Sequence, residues 1–283
     1  MTARIPTRSK RQAMDWSLVL ISQGIESTIE HSEEFGWGLI VSDEELERAK
    51  IAIENYNAEN VRWPWRRRIQ REIVFDWGAL AWVFLIGLFF YLQSLGTNLR
   101  EAGLMDAQAV SRGEWWRLST AIFLHANIGH FAANAGIGFF LLGLTMGRFG
   151  TGIGLFAAYL AGVLGNVATW LAFENHLSLG ASGLVMGCVG LLAAQAFSWR
   201  KHPQALRYFL TGIAGGVMLF ALLGLSPGSD VLAHAGGFVG GFLIGIALLL
   251  APKLAQNTTA NVVAGILFTT ATVLTWWLAL AKS

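Results

Sequence analysis

"HAGGFVGGFLIG", residues 234–245, opens on a histidine and then places Gly237, Gly241 and Gly245 four residues apart. On a helix, residues i and i+4 lie one above the other, so these three positions make a stripe with no side chains. A second helix can approach such a stripe until the two backbones touch, which is how helices associate where no water drives them together. His234 lies three residues ahead of the stripe. An imidazole in an apolar helix is costly without a partner, so the pattern predicts a neighbouring helix with small residues and a polar group at matching height.

"LSLGASGLVMG", residues 177–187, meets both conditions, with Gly183 and Gly187 below Ser182. A serine between glycines has a plain packing role in membrane bundles. The string G-x-S-G is also short enough to arise by chance in a chain with 33 glycines. The choice between packing and chemistry depends on what shares the serine's level.

Composition sets the frame. Of 283 residues, 54% are hydrophobic and only 13% charged, about half the charged share of soluble domains. Of the 18 acidic residues, 13 lie at or before Asp76, which separates a polar front from an apolar body. The net charge of +2 is too small, and the basic residues too scattered, to argue for a nucleic-acid partner, and none is expected. A single cysteine, Cys188, excludes an internal disulfide and any multi-thiolate metal site, and its apolar surroundings predict a packed thiol. The basic start "MTARIPTRSKRQAMDW" precedes no apolar run of useful length, so it reads as no cleaved signal peptide.

The front, residues 1–75, reads as a small α+β cytosolic module followed by an interfacial linker. "WSLVLIS" and "WGLIVS" have strand composition, and "SDEELERAKIAIENYN" opens with the capping-box pair Ser42 and Glu45. Leu46, Ala49, Ile53 and Tyr56 then recur at helical spacing. "RWPWRRRIQRE", 62–72, mixes cations with tryptophans as an interfacial anchor on an anionic leaflet does.

The body carries apolar segments at about 77–96, 128–147, 151–173, 180–198, 207–225, 231–250 and 261–280, each near the ~20 residues needed to cross hydrocarbon. The expected fold is an all-α polytopic membrane protein: six helices over 76–251, then a seventh with a short tail over 252–283. The long connection between the first two segments is amphipathic and is expected in the interface. Arg66–Arg68, Arg148, Arg200, Lys201, Arg207 and Lys253 fall in one set of loops, whereas 174–179 and 226–230 carry no Lys or Arg. This places the N-terminus in the cytoplasm and the C-terminus outside, against the contrary Arg100, Arg112 and Arg117.

In that topology Ser182 is expected about five residues into the fourth span and His234 about four into the sixth. His130 and Asn134 on the second span fall at a similar depth. Four polar side chains from three helices thus share one layer. A serine hydroxyl becomes a nucleophile when a base takes its proton, and histidine is the usual base. His130 and Asn134, spaced i, i+4, project from one face as donors for a developing oxyanion, alongside the backbone N–H of Ser182. Hydrolysis also requires these residues to line a water-filled cavity. Asp230, four before His234, can orient the imidazole or cap the helix; the sequence favours the cap and hence a Ser–His dyad.

These residues, with "GEWWRLSTAIFLH" (113–125), "HANIGHFAAN" (125–134), "GASG" (180–183) and "AHAGGFVGG" (233–241), resemble the rhomboid family of intramembrane serine proteases. The resemblance implies cleavage of transmembrane protein substrates near their outer ends, in the bilayer, without metal or cofactor. Ser182 matches the nucleophile, His234 the general base, and His130 and Asn134 the oxyanion positions. Trp116 and Arg117 match a structural loop pair and His125 a supporting position; Gly180, Gly183, Gly237 and Gly241 are the close-packing glycines. A multi-pass protein of a bacterial cytoplasmic membrane, its site opening outward, is the expected setting. Two positions depart from the family: Met146 stands where an acidic residue is frequent, four before Gly150, and Met186 where some members have an aromatic residue. Two other classes remain: a non-catalytic rhomboid-like binder of membrane clients, disfavoured because Ser182 and His234 are both kept, and a solute transporter, disfavoured because no matching pair of interrupted helices is visible.

Overall fold

Hydrophobic segments too long for strands become helices here, and glycines decide where they touch. The computed structural model describes residues 2–60, 74–199, 205–224, 230–255 and 257–282. The chain divides into two compact units, residues 1–71 and 72–283. The cation–tryptophan stretch 62–72 read above lies outside the described residues.

The first unit runs β1 (Thr2–Pro6), α1 (Lys10–Ser22), β2 (Thr28–Ser32), β3 (Gly36–Ser42) and α2 (Leu46–Asn60). Its antiparallel sheet has the order β1-β3-β2, with Ile5 and Ile29 both opposite Leu39. Two sequence expectations fail here. "WSLVLIS" is helical, because Ser9 caps α1 by accepting from the Gln12 N–H at 3.2 Å and because Ala13, Ser17 and Leu20 bury one helical face. Ser42 makes no side-chain cap; a 3₁₀ turn over Asp43–Glu45 intervenes before α2. Leu20, Leu39, Val41, Ala49 and Ile53 form the unit's core.

The second unit contains α3 (Ala79–Ser94), α4 (Leu99–Gly103), β4 (Met105–Asp106), α5 (Ala107–Ser111), α6 (Arg117–Thr120), α7 (Ile128–Phe149) and α8 (Thr151–Ala172). It continues through β5 (Leu177–Ser178), α9 (Ser182–Ala193), α10 (Ala205–Gly224), α11 (Val231–Leu250), α12 (Pro252–Ala255) and α13 (Thr258–Lys282). Among the described residues, α7, α8, α11 and α13 are long and apolar enough to cross a membrane; Ala79–Ser94, Ser182–Ser198 and Leu210–Leu219 are shorter apolar helices. The fold is therefore a helical membrane bundle.

α11 packs against both α8 and α9. A Cβ on Gly237 would overlap the Gly183 carbonyl, and one on Gly241 the Gly187 carbonyl. On the other side a Cβ on Gly165 would overlap the Ala233 carbonyl. The expected partner of the glycine stripe is the one found.

The connection between α3 and α7 is a folded piece with its own buried side chains. Met105, Trp116, Ile122, Phe123 and Leu124 are all buried. Arg117 donates to Glu114 Oε2 at 2.6 Å and to the carbonyls of Glu101 and Leu104 at 2.8 and 2.9 Å. β4 pairs with β5, Met105 opposite Ser178, which joins this piece to the loop before Ser182. The last helix supports it from below: Ser119 Oγ lies 2.5 Å from Tyr159 Oη on α8 and 3.1 Å from Thr275 Oγ1 on α13. Trp276 fills the space over Gly103, and Lys282 Nζ sits 5.0 Å from the Trp116 ring centroid.

Candidate active site

Gly180 sets the local geometry. Its φ is +126°, a conformation side-chain-bearing residues rarely adopt. Its N–H donates to the Ala121 carbonyl at 2.9 Å. The chain then turns directly into α9, whose first residue is Ser182. The serine therefore opens the helix rather than lying five residues inside it, because the positive φ two residues earlier is incompatible with a helix. At this first position its N–H has no acceptor within the helix.

Across the glycine contact, His234 is the fourth residue of α11. Its Nε2 lies 2.7 Å from Ser182 Oγ. The imidazole is 3% exposed, whereas Ser182 is only half-buried.

α7 brings the third contribution. Asn127 caps it, accepting from the His130 N–H at 2.9 Å, and so fixes the turn that carries His130. A Cβ on Gly180 would lie 2.6 and 2.7 Å from His130 Cε1 and Nε2 and 3.7 Å from Asn134 Nδ2. Both donors thus stand over the residue two before the serine, and Gly180 is required for space as well as conformation. Asn134 Nδ2 also donates to the His130 carbonyl at 3.0 Å. His130, Asn134, Ser182 and His234 come from three helices to one place.

Comparison with known proteins bears on this arrangement. The rhomboid domain family matches residues 112–251, a span that includes all four side chains. The chain is 32% identical over 210 residues to the rhomboid protease GluP of Bacillus subtilis, covering 69% of this chain and 40% of that one. The chain belongs to the rhomboid family. Over 175 residues it is 29% identical to rhomboid-like protease 3 of Toxoplasma gondii, covering 57% and 65% of the two chains. Over 207 residues it is 29% identical to the rhomboid protease AarA of Providencia stuartii, covering 60% and 73%. The chain spans less than two thirds of the length of the first two.

The other residues singled out in this rhomboid domain are spread along the bundle. His125, fully buried, has its ring 5.3 Å from that of His130. Burial, then the charge of His130, push its pKa down to about 4, against the Phe123 backbone carbonyl, which as an acceptor works to raise it. Trp116 and Arg117 lie in the folded connection, with Trp116 buried and Arg117 holding its turns together. Met186 is buried on α9 and Cys188 is fully buried two residues further. At the opposite end of the bundle Met146 is buried without a polar partner to offer. Polar contacts there come instead from Asp76 with Thr151 and from Arg148 Nε to Gln195 Oε1 at 2.6 Å.

Asp230 does not face the dyad. It caps α11 by accepting from the Ala233 N–H at 2.9 Å, and it takes the Thr169 hydroxyl at 3.1 Å and His176 Nε2 at 3.0 Å. Burial works to raise its pKa, but the Ala233 N–H, the Ser178 hydroxyl, His176 and Thr169 together outweigh it and hold the carboxyl below its usual range. His176, Thr169, Ser119, Tyr159 and Thr275 were not legible as site residues, since no motif or period marks them.

Proposed function

We propose that this chain is an intramembrane serine endopeptidase that hydrolyses peptide bonds of transmembrane proteins near their outer membrane ends. The observation that carries the reading is the 2.7 Å contact between Ser182 Oγ and His234 Nε2 within a rhomboid domain. His234 Nε2 takes the hydroxyl proton as Ser182 Oγ bonds to the scissile carbonyl carbon. The electron pair moves to the carbonyl oxygen, which the His130 ring, the Asn134 amide and the Ser182 N–H stabilise as donors. Collapse breaks the C–N bond, and His234 returns its proton to the leaving amine. A water then attacks the acyl-serine with His234 again as base, releasing the new carboxyl terminus and restoring the hydroxyl. Each step uses groups of this chain, the substrate and one water. Asp230 is committed to other partners, which supports a dyad rather than a triad.

The distribution of cations supports an orientation with the N-terminus in the cytoplasm and the Ser182 end of the bundle facing outward. Residues 1–75 then form a cytosolic module with its linker, 76–251 the catalytic core, and 252–283 a seventh span that braces it. The setting is a bacterial cytoplasmic membrane, with transmembrane substrates as partners.

Full-length protein in detergent is expected to label at Ser182 with a fluorophosphonate and to cleave a reporter transmembrane substrate. Ser182→Ala is expected to lose both, by at least ~10³-fold, and Asn134→Ala to lower cleavage by ~10²-fold. Cleavage by Ser182→Ala at the wild-type rate refutes the reading. A wild-type protein that binds membrane proteins but never labels favours the non-catalytic binder.

A further inference from the structure

Two elements must hold a fixed axial register for Ser182 and His234 to meet. Their contact surface does not interlock strongly, because Gly183, Gly187, Gly237 and Gly241 meet as smooth backbone. A slide of one residue along a helix axis is about 1.5 Å, enough to break a hydrogen bond of 2.7 Å. Register therefore needs a fixing point near the dyad, and Asp230 is the group placed to supply it.

One carboxylate there joins three elements. Through the Ala233 N–H it grips the first turn of α11, one residue ahead of His234. Through Thr169 Oγ1, at 3.1 and 3.2 Å from its two oxygens, it holds the last turns of α8. Through His176 Nε2 at 3.0 Å and the Ser178 hydroxyl it holds the loop that delivers Ser182 six and four residues later. The His176 ring stacks on Phe173, centroids 5.3 Å apart, and its backbone carbonyl accepts from the Ala107 N–H at 3.0 Å, so the loop is itself anchored. His176 is 30% and Asp230 13% exposed at the side chain.

We propose that Asp230, with His176 and Thr169, is a positioning knot that sets the register between the loop carrying Ser182 and the helix carrying His234. This rests on the serine-protease reading. The knot touches no substrate; it acts through the dyad.

The test measures the rate of fluorophosphonate labelling, and kcat and KM for a reporter transmembrane substrate, on full-length protein in detergent. A displacement near 1 Å costs about 10²-fold in rate. Asp230→Ala and His176→Ala are expected to lose ~10- to 100-fold in labelling and kcat with KM within about 2-fold. His176→Gln, which keeps a donor, is expected to recover most of the loss. Asp230→Asn keeps a good helix cap and so separates helix integrity from the knot; it is expected to lose rate at unchanged unfolding temperature. Residues acting as one unit are non-additive, so the double alanine variant should be no slower than the slower single one. Wild-type labelling rates in both alanine variants overturn the knot, as do additive losses, a loss confined to KM, or a loss that follows thermal stability and is not rescued by His176→Gln. Failure of the wild-type protein itself to label refutes the protease reading instead.

Discussion

The two units of this chain reach close packing by opposite means. In residues 1–71 the core is made of side chains: Leu20, Leu39 and Ile53 from two helices and a sheet fill one another's spaces. Between α8, α9 and α11 the contact is made by their absence, with Gly165, Gly183, Gly187, Gly237 and Gly241 letting backbone rest on backbone. The first solution exploits water, which rewards burial of large apolar groups. The second suits lipid, where a leucine gains nothing from leaving the solvent and contact area at short range decides. It also serves chemistry, since only backbones this close let a serine on one helix reach a histidine on the next.

Opposite substitutions should therefore break the two regions. The largest effect is expected from Gly237→Val, whose side chain has no room against the Gly183 carbonyl and must push α9 from α11. Labelling at Ser182 should fall by more than ~10²-fold. Gly136→Ala, with nothing within 4 Å of the new methyl, should label like wild type. Equal behaviour of the two would remove the close-approach argument. In the first unit the damaging change is large to small. Leu39→Ala, at a fully buried position, should cost about 2–5 kcal/mol, read as faster hydrogen exchange in β1–β3. Exchange in α9 and α11 should stay as it was, because the two cores are separate.

The smallest effect concerns acid. His125 is neutral when folded, with a pKa near 4 against 6.5 for the free side chain. The unfolded chain takes up the additional proton, so stability is full above about 6.5 and declines as pH falls from there toward 4. His125→Asn should reduce the drop in unfolding temperature between pH 7 and 5; an identical drop would mean other groups set it.

Much of this was legible in the sequence because membranes restrict what a sequence may contain. Apolar length identified the helices, and the cost of polar groups in hydrocarbon made Ser182, His234, His130 and Asn134 conspicuous. The polar front lacked that restriction. Trp16–Ser22 has strand composition, yet the Ser9 cap and the buried Ala13, Ser17 and Leu20 make it a helix. β1 and β2 are short and polar, with no alternation to announce them. The start of α9 was misplaced because hydropathy does not see the backbone angle of Gly180. Asp230 read correctly as a cap, but its partners His176 and Thr169 could not be read, since nothing local to either residue foretells a meeting across the fold.

Cys188 has a practical use that follows from its position. It is the one thiol in the sequence and it is walled in on α9, directly behind the turn that carries Ser182. A maleimide reagent cannot reach it until α9 parts from its neighbours, so its alkylation clocks the opening of this wall. While that wall stays shut, a cysteine introduced at an exposed site such as Trp115→Cys is the sole attachment point for a dye or spin label.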